Sequence, residues 1–562
     1  MTRSNVLRLE LPAASLGLYL FVWGLLAPLS TDLLFTPSTR PLHPAPDSSD
    51  ASGWVAADFH MHSCLTDGEH SPDEVFREGV GYGLHFLVNS EHGGAYNRAP
   101  DCRPWTAHEG VTFRGDPAPD RREQRAMWRW QSLQEYAFPF VQQAEAKFED
   151  AMFALGLEWN PPGVDHASVG IVADSPVPIS TFAYRFDRRD LDTSGGPADR
   201  PTEKFNGRLD GGAGELGSDS LQQEHALEAL AWLQQHHPKS SYVIPAHPER
   251  SMGYTVADLR RWNDAAPRIA FGFEGMPGAQ SAPIRGGFRS ERALGGGTYG
   301  GVGYMAARVG GTWDALLGEG RRFWIFTNSD FHRTNGGFWP GEYQKTWVHT
   351  TDTTSRHAVI DGMRSGRVFV AQGDLIDRLS FSVSQDGRSA EMGGTLAANG
   401  DSDVSVTVSY RTPEVNHNGD QPRVDHIAVI AGGVGPRADP GSPAYHRDTH
   451  AEARVLKVLR HTEGTTLPDG WTRHEFALGE IEEAMYLRLR GSSHGAHEPP
   501  YTGAEGDPLP DALAFNAWIL EQIGNGELQD SQLLPEAFNW GREHAWKNTW
   551  FYSNPVFLEP GH

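Results

Sequence analysis

A chain of 562 residues exceeds what one hydrophobic core ordinarily organises, and 38% hydrophobic with 21% charged residues fits a soluble globular protein of two or more units, not a disordered one. The formal net charge of −24 repels nucleic acid and anionic membrane surfaces, which argues against a nucleic-acid partner but leaves room for a small anionic substrate at a locally cationic site. Two cysteines, Cys64 and Cys102, exclude a disulfide-rich scaffold and a thiolate zinc site, so any metal site must use His, Asp and Glu; the pair is either one bridge in an oxidising compartment or two buried thiols.

At the N-terminus, Arg3 and Arg8 precede an uncharged run from Leu11 to Leu29. This reads as a cleaved signal peptide or a retained anchor, with a buried N-terminal helix as the weaker alternative. Residues 36–53 are rich in Pro, Ser and Asp and suit a tether. The expectation is an exported protein: periplasmic, extracellular, or membrane-anchored through residues 11–29 and facing outward.

From Trp54 to about Asp374, short apolar runs alternate with helical patterns, implying an α/β unit over 54–375 with a mostly parallel sheet or barrel. Ser71-Pro72-Asp73-Glu74 predicts a helix start, with Ser as N-cap and Pro at the first position. Leu84–Val88 predicts a buried strand, and 121–154 a long amphipathic helix. Residues 190–219 lack periodicity and predict a long loop. Helices at 220–236, 256–265, 312–319 and 355–365 precede strands at 242–245, 269–273, 323–326 and 368–370. Beyond about 376 the texture becomes β-rich, with strands near 404–410, 427–430, 476–478, 486–489 and 555–558 interrupted by a helical stretch at 510–523. This predicts a β-sandwich-like unit over 376–562.

The chemistry-bearing residues begin at Asp58-Phe59-His60-Met61-His62. On a strand, His60 and His62 share one face while Phe59 and Met61 share the other. Five clusters follow at or just after strand candidates: Asn89-Ser90-Glu91-His92; Gly156-Leu157-Glu158 with His166 eight residues on; Ala246-His247-Pro248; Phe273-Glu274-Gly275; and Asn328-Ser329-Asp330-Phe331-His332. Each alone is an ordinary polar strand end. Together they set imidazoles and carboxylates at strand C-termini, where α/β folds form their sites, in the mixture a divalent-cation cluster needs. Of the 25 histidines, His43, His70, His236, His237 and His357 lie in polar or helical contexts and carry no such signal.

The run Asp58–His92 resembles the opening of the PHP (polymerase and histidinol phosphatase) superfamily, and the later Gly-x-Glu, His, His-Pro and Ser-Asp-x-His elements follow that family's order. The resemblance covers residues 54 to about 374. It implies a distorted (β/α)7 barrel with two or three divalent metal ions (Zn, Mn or Fe). It also implies a ligand set: His60, His62, Glu158 and Asp330 for one ion, Glu158 bridging to a second completed by His166 and His247, and Asp67, His92 and His332 for a third. Glu91 stands where the family usually has Asp. Trp550–Phe557 and Ser365–Val370 are similar to an exported, carbaryl-hydrolase-like branch with a β-domain after the barrel.

The implied activity is a phosphoesterase in which water on the metals, held by His60, His62, Glu158 and Asp330, loses a proton and attacks a small organic phosphate ester. No GxSxG elbow or P-loop suggests another route. Arg250, Glu274, Arg333 and Lys345 are candidate substrate contacts. The alternatives are hydrolysis of a carbamate, ester or amide at the same centre, and a non-catalytic metal-binding surface protein.

Overall fold

The computed structural model describes residues 53–96, 98–117, 125–192, 220–250, 253–287, 297–399, 402–525 and 533–561. The apolar run Leu11–Leu29 lies outside these residues, as does most of the expected loop, from 193 to 219. Among the described residues no helix is long and apolar enough to cross a membrane.

Strand β1 (Gly53–Met61) is buried from Val55 onward and runs parallel to β2 (Phe86–Asn89), which runs parallel to β5 (Met152–Trp159); β3 (Ala95–Tyr96) and β4 (Met127–Trp128) form a separate ribbon. Next, β6 (Ala167–Ile171) lies antiparallel between β5 and β7 (Ser241–Pro245). The amide of Val243 donates to Ile269 O at 2.9 Å, beside the segment entering β8 (Gly272–Met276), and β8 runs parallel to β9 (Trp324–Thr327). Past β9, Phe331 makes a parallel bridge to Met61. His62 N donates to Phe331 O at 2.8 Å and Asp330 N to His60 O at 2.9 Å. The C-terminal ends of β1 and β9 are thereby laced together.

The helices between these strands follow local rules. Pro72–Gly81 starts as expected: Ser71 Oγ accepts from Glu74 N at 3.3 Å. Val256–Ala265 carries a capping box between Thr255 and Asp258. The expected 121–154 helix is shorter. Its helical part runs from Arg129 to Lys147 with a π turn at Leu133–Ala137, and 152–154 belong to β5. Pro139, just past the π turn, has no N–H to offer the carbonyl four residues back, which disrupts the regular ladder there.

The chain after position 375 forms a sheet of its own and also adds strands to the first sheet. Strands β10 (Gln344–Thr350) and β11 (Val368–Gln372) extend the sheet from the free edge of β1. In the later chain β12 (Arg378–Gln385), β13 (Arg388–Glu391), β14 (Thr395–Ala398), β15 (Val404–Arg411), β16 (His426–Gly433), β17 (Arg454–Arg460), β18 (Thr465–Thr466), β19 (Trp471–Gly479), β20 (Met485–Ser492), β21 (Trp550–Ser553) and β22 (Val556–Pro560) follow in order. They divide between two sheets. One is a five-stranded antiparallel sheet, β13-β12-β15-β19-β18. The other is a 13-stranded mixed sheet in which β21 pairs with β11, so the C-terminal strands continue the N-terminal sheet. Alternation along β15 buries Val404, Val406, Val408 and Tyr410. Arg488 on β20 donates to both oxygens of Asp314 at 2.7 and 2.8 Å, tying that sheet to helix Thr312–Leu317. Helix Asp511–Asn525 matches the expected helical stretch; a second helix, Leu533–Lys547, had no counterpart in the sequence reading.

Candidate metal centre

The site is built where β1 ends. Phe59 and Met61 are fully buried in the core, which turns His60 and His62 to the opposite face. The strand end is fixed by its neighbours: Phe59 N donates to Asn328 Oδ1 at 2.7 Å, Met61 N to Ser90 Oγ at 2.9 Å. Asp58 accepts from His60 N at 3.1 Å and Ser329 N at 3.0 Å. Burial raises the Asp58 carboxyl to about 7 despite those hydrogen bonds.

Glu158, near the end of β5, lies at the middle of the cluster. Its Oε1 is 2.8 Å from His166 Nδ1, 2.9 Å from His247 Nε2 and 3.4 Å from His60 Nε2. Its Oε2 is 2.8 Å from His92 Nδ1 and 3.3 Å from His62 Nε2. Asp330 Oδ1 lies 3.2 Å from His60 Nε2, 3.3 Å from His62 Nε2 and 3.5 Å from His332 Nδ1. At the mouth, half-exposed Asp67 places Oδ2 3.3 Å from His92 Nε2 and 3.4 Å from His332 Nε2. Three groups have ligand atoms within 4.8 Å of one another: His60, His62, Glu158 and Asp330; His62, Asp67, His92 and His332; and His92, Glu158 and His166. His247 falls outside these groups, though its Nε2 touches Glu158.

Two of these residues adopt left-handed backbone, His247 at φ 30° and Asp330 at φ 46°. Such conformations cost roughly 1–3 kcal/mol in a non-glycine residue and persist where surrounding structure enforces them. At Gly278 a Cβ would fall 2.4 Å from the Cβ of Asp330 and 2.3 Å from Ser329 O, so the loop after β8 can pass Asp330 only as glycine.

The imidazoles and carboxylates are strongly coupled, and the donor set fits a cation. Burial raises the Glu158 carboxyl, but His166, His92 and His60 overcome it and hold the group well below the usual range; Asp330 is lowered in the same way by His60, His62 and His332. Burial likewise opposes charge on His62 and His92, yet the carboxylates lift them to about 9 and about 10. His166 goes the other way, pushed by burial to about 4, and stays neutral. The Nε2 atoms of His60 and His62 face each other at 3.2 Å. Glu158 Oε2, Asp330 Oδ1 and His92 Nδ1 are buried with ion-pair contacts to one another and to the neighbouring imidazoles, but with no well-aligned hydrogen bond. Buried polar atoms ordinarily find partners, and this mixture of imidazoles and carboxylates fits divalent cations.

Behind the ligands stands Glu274. It is buried; Oε1 accepts from His60 Nδ1 at 2.8 Å, Asn328 Nδ2 at 2.8 Å and Ser168 Oγ at 3.2 Å, while Oε2 accepts from His247 N at 3.1 Å. Expected as a substrate contact, it is buried beneath the ligands with both oxygens engaged, a position from which it orients His60 and His247. Lys345 also departs from the expectation: it is buried and paired with Asp374 at 2.6 Å. Arg333 is half-exposed, 3.6 Å from Glu69. Arg250 lies beside the cluster, with Nη2 3.0 Å from Asp165 Oδ1 and 2.9 Å from His166 Nδ1. Glu91 takes no part in the cluster; it accepts from Ser63 N at 2.7 Å and from the hydroxyls of Ser63 and Thr66, bracing the loop that carries Asp67. Cys64 and Cys102 are joined in a disulfide. Asp165, which buttresses Arg250, escaped the sequence reading; its place beside His166 was the only available signal.

No family model matches this chain, and no curated protein matches it. Among solved structures it is similar to a two-domain protein containing a predicted PHP-like metal-dependent phosphoesterase from Bacteroides vulgatus ATCC 8482. The identity is 11%, covering 85% of this chain and 97% of that one, with a TM-score of 0.33.

Proposed function

We propose that the protein is a metal-dependent phosphoesterase acting on a small organic phosphate ester. The observation that carries this reading is Glu158: five imidazoles, those of His60, His62, His92, His166 and His247, lie within 3.4 Å of one buried carboxylate. A structural ion pair needs one. A carboxylate bridging divalent ions needs such a ring. On this reading the strands β1, β2 and β5–β9 form the distorted (β/α)7 barrel, and the bound ions number two or three.

Divalent ions held there would supply Lewis acidity and a water-derived nucleophile at neutral pH. Glu274 keeps the His60 proton on Nδ1 and so leaves Nε2 as a lone pair facing the cluster. Among the described residues the serine hydroxyls nearest the cluster are engaged elsewhere: Ser63 donates to Glu91, Ser168 to Glu274 and Ser329 to His60 O. This supports water as the nucleophile. Arg250, anchored by Asp165, is placed to receive phosphoryl oxygens with its outer edge. The disulfide supports export to an oxidising compartment, with residues 11–29 as signal or tether.

The test is elemental analysis of the purified protein beside Asp330→Ala, with hydrolysis of p-nitrophenyl phosphate, bis-p-nitrophenyl phosphate and an aryl carbamate. Two or more metal equivalents, lost together with phosphatase activity in the variant, are expected. A preference for the carbamate would shift the reading to carbonyl hydrolysis; a folded protein that takes up neither Zn nor Mn would sink it.

A further inference from the structure

The proposed chemistry does not use the Cys64–Cys102 disulfide, yet Cys64 lies two residues after His62 and three before Asp67. The loop between these ligands turns tightly. Thr66 N and Gly68 N both donate to Ser63 O at 3.1 and 3.0 Å, and Cys64 N donates to His70 O at 2.7 Å. A Cβ at Gly68 would fall 2.7 Å from Ser63 O, so no side chain fits there.

Three ties hold this loop from outside. On one side is Glu91, through Ser63 and Thr66. At the exit, Glu69 N donates to His332 O at 2.8 Å. On the remaining side stands the 98–104 turn, itself closed by Ala99 N to Arg103 O and Cys102 N to Ala99 O, both at 2.9 Å. That turn reaches the loop through two residues: Arg98 Nη2 donates to Gly68 O at 2.8 Å and to Thr66 O at 3.5 Å, and Cys102 is bonded to Cys64 across 38 residues of sequence. The disulfide is the covalent half of this tie, and Arg98 keeps its hydrogen bond only while the turn stays in place.

Asp67 depends on that loop. Glu158 is set by a strand buried along its whole length, and Asp330 by the lacing of β9 to β1. The Asp67 carboxylate is 53% exposed and meets His92 and His332 only because the loop aims it.

We infer that the Cys64–Cys102 disulfide is a positioning element for Asp67, and that its reduction empties the outer metal position of Asp67, His92 and His332 while sparing the inner one of His60, His62, Glu158 and Asp330. The inference rests on the metal-dependent reading of the cluster. In the reducing step a dithiol donates two electrons and two protons; the sulfur–sulfur bond breaks to two thiols and the dithiol closes to its own disulfide. The loop then gains conformations in which Asp67 points elsewhere, and His92 and His332, left with only the carboxylates of the inner group, bind an outer cation more weakly. Such a device would make the full metal complement a property of oxidising surroundings.

The experiment uses the full chain, loaded with Mn or Zn, with and without dithiothreitol, free thiols being alkylated to trap the state. Metal per chain is measured after desalting, affinity by chelator competition, and hydrogen exchange over 62–70 on the metal-free protein; Cys64→Ser/Cys102→Ser is run in parallel. Expected are loss of one equivalent, or its weakening by at least about tenfold, with faster exchange over 62–70 and unchanged circular dichroism. A reduced, folded protein with undiminished stoichiometry, affinity and exchange protection would overturn the inference. So would global unfolding on reduction, which would make the bond a staple of the whole fold. An oxidised protein that binds no metal would defeat the phosphoesterase reading instead, and the exchange comparison would still decide the positioning of the loop.

Discussion

His60 Nδ1 lies 2.8 Å from Oε1 of Glu274 at the floor of the cluster, and both side chains are fully buried. A carboxylate only accepts, so this contact assigns the imidazole proton to Nδ1 and aims Nε2 at Glu158 and Asp330. Glu274→Gln keeps the shape but removes the charge and replaces one of its two accepting oxygens with a donating NH2. The expected result is metal affinity weaker by about 10–100-fold, the range seen when outer partners of metal-binding histidines are lost. Chelator competition measures it; unchanged affinity would show that His60 needs no such partner.

Arg250 is held by both oxygens of Asp165, with Nε at 3.3 Å and Nη2 at 3.0 Å, and its side chain is 39% exposed beside His166. If it receives the anionic end of the substrate, Arg250→Gln should raise KM for a phosphate monoester by about 10–100-fold, the value of a hydrogen bond to a charged group. An uncharged ester substrate should be affected far less. Steady-state kinetics on both substrates checks this; an equal fall in kcat for both, with KM unchanged, would make Arg250 a support for His166.

The site was more legible in the sequence than the elements that carry it. His60 and His62 are two residues apart on a strand, and period-two alternation alone puts them on one face. The remaining ligands follow short apolar runs, a local pattern, and the structure brings them together. What stayed hidden was non-local. Glu274 looks like any strand-end carboxylate until Asn328, Ser168 and His247, all from other segments, are seen around it. Lys345 looked free to meet substrate because Asp374 is 29 residues away. Strand β6 follows a proline- and glycine-rich loop and reads Ala-Ser-Val-Gly-Ile, too short and too poor in bulky residues to announce itself. The sheet's passage through position 375 was invisible for the same reason: β11 pairs with β21 nearly two hundred residues later.

The metal-stripped protein should lose stability as pH rises above neutrality. His62 and His92 are raised by their carboxylates, despite burial, to about 9 and about 10 from an ordinary 6.5. Groups with raised values stabilise the fold fully below the unfolded value and lose that contribution as pH climbs through the folded one. The melting temperature of the stripped protein should therefore fall between about pH 6.5 and 10. In the loaded protein a cation replaces those protons, so metal uptake at pH 7.5 should release protons, and the alkaline fall should shrink. Differential scanning calorimetry on both forms, with proton release followed by an indicator dye, reads this out. Parallel pH profiles without proton release would show that the cluster is not the metal site.

Arg488 and Asp314 form a pair with no exposed surface on either side chain, made by two parallel hydrogen bonds at 2.7 and 2.8 Å and joined by the Tyr486 hydroxyl at 2.8 Å. It links a C-terminal strand to a helix of the unit that holds the metal site. Burying both charges costs desolvation energy, so the pair is weak evidence of net stabilisation, but breaking it leaves a guanidinium with no counter-charge in the interior. Asp314→Asn should thus destabilise the protein by about 3–5 kcal/mol. Replacing both partners with apolar residues, Asp314→Leu with Arg488→Met, should recover much of that loss, because no buried charge remains. Urea denaturation of the two variants separates the cases. If the single variant unfolds at the wild-type midpoint, the junction between this strand and the helix does not depend on this pair.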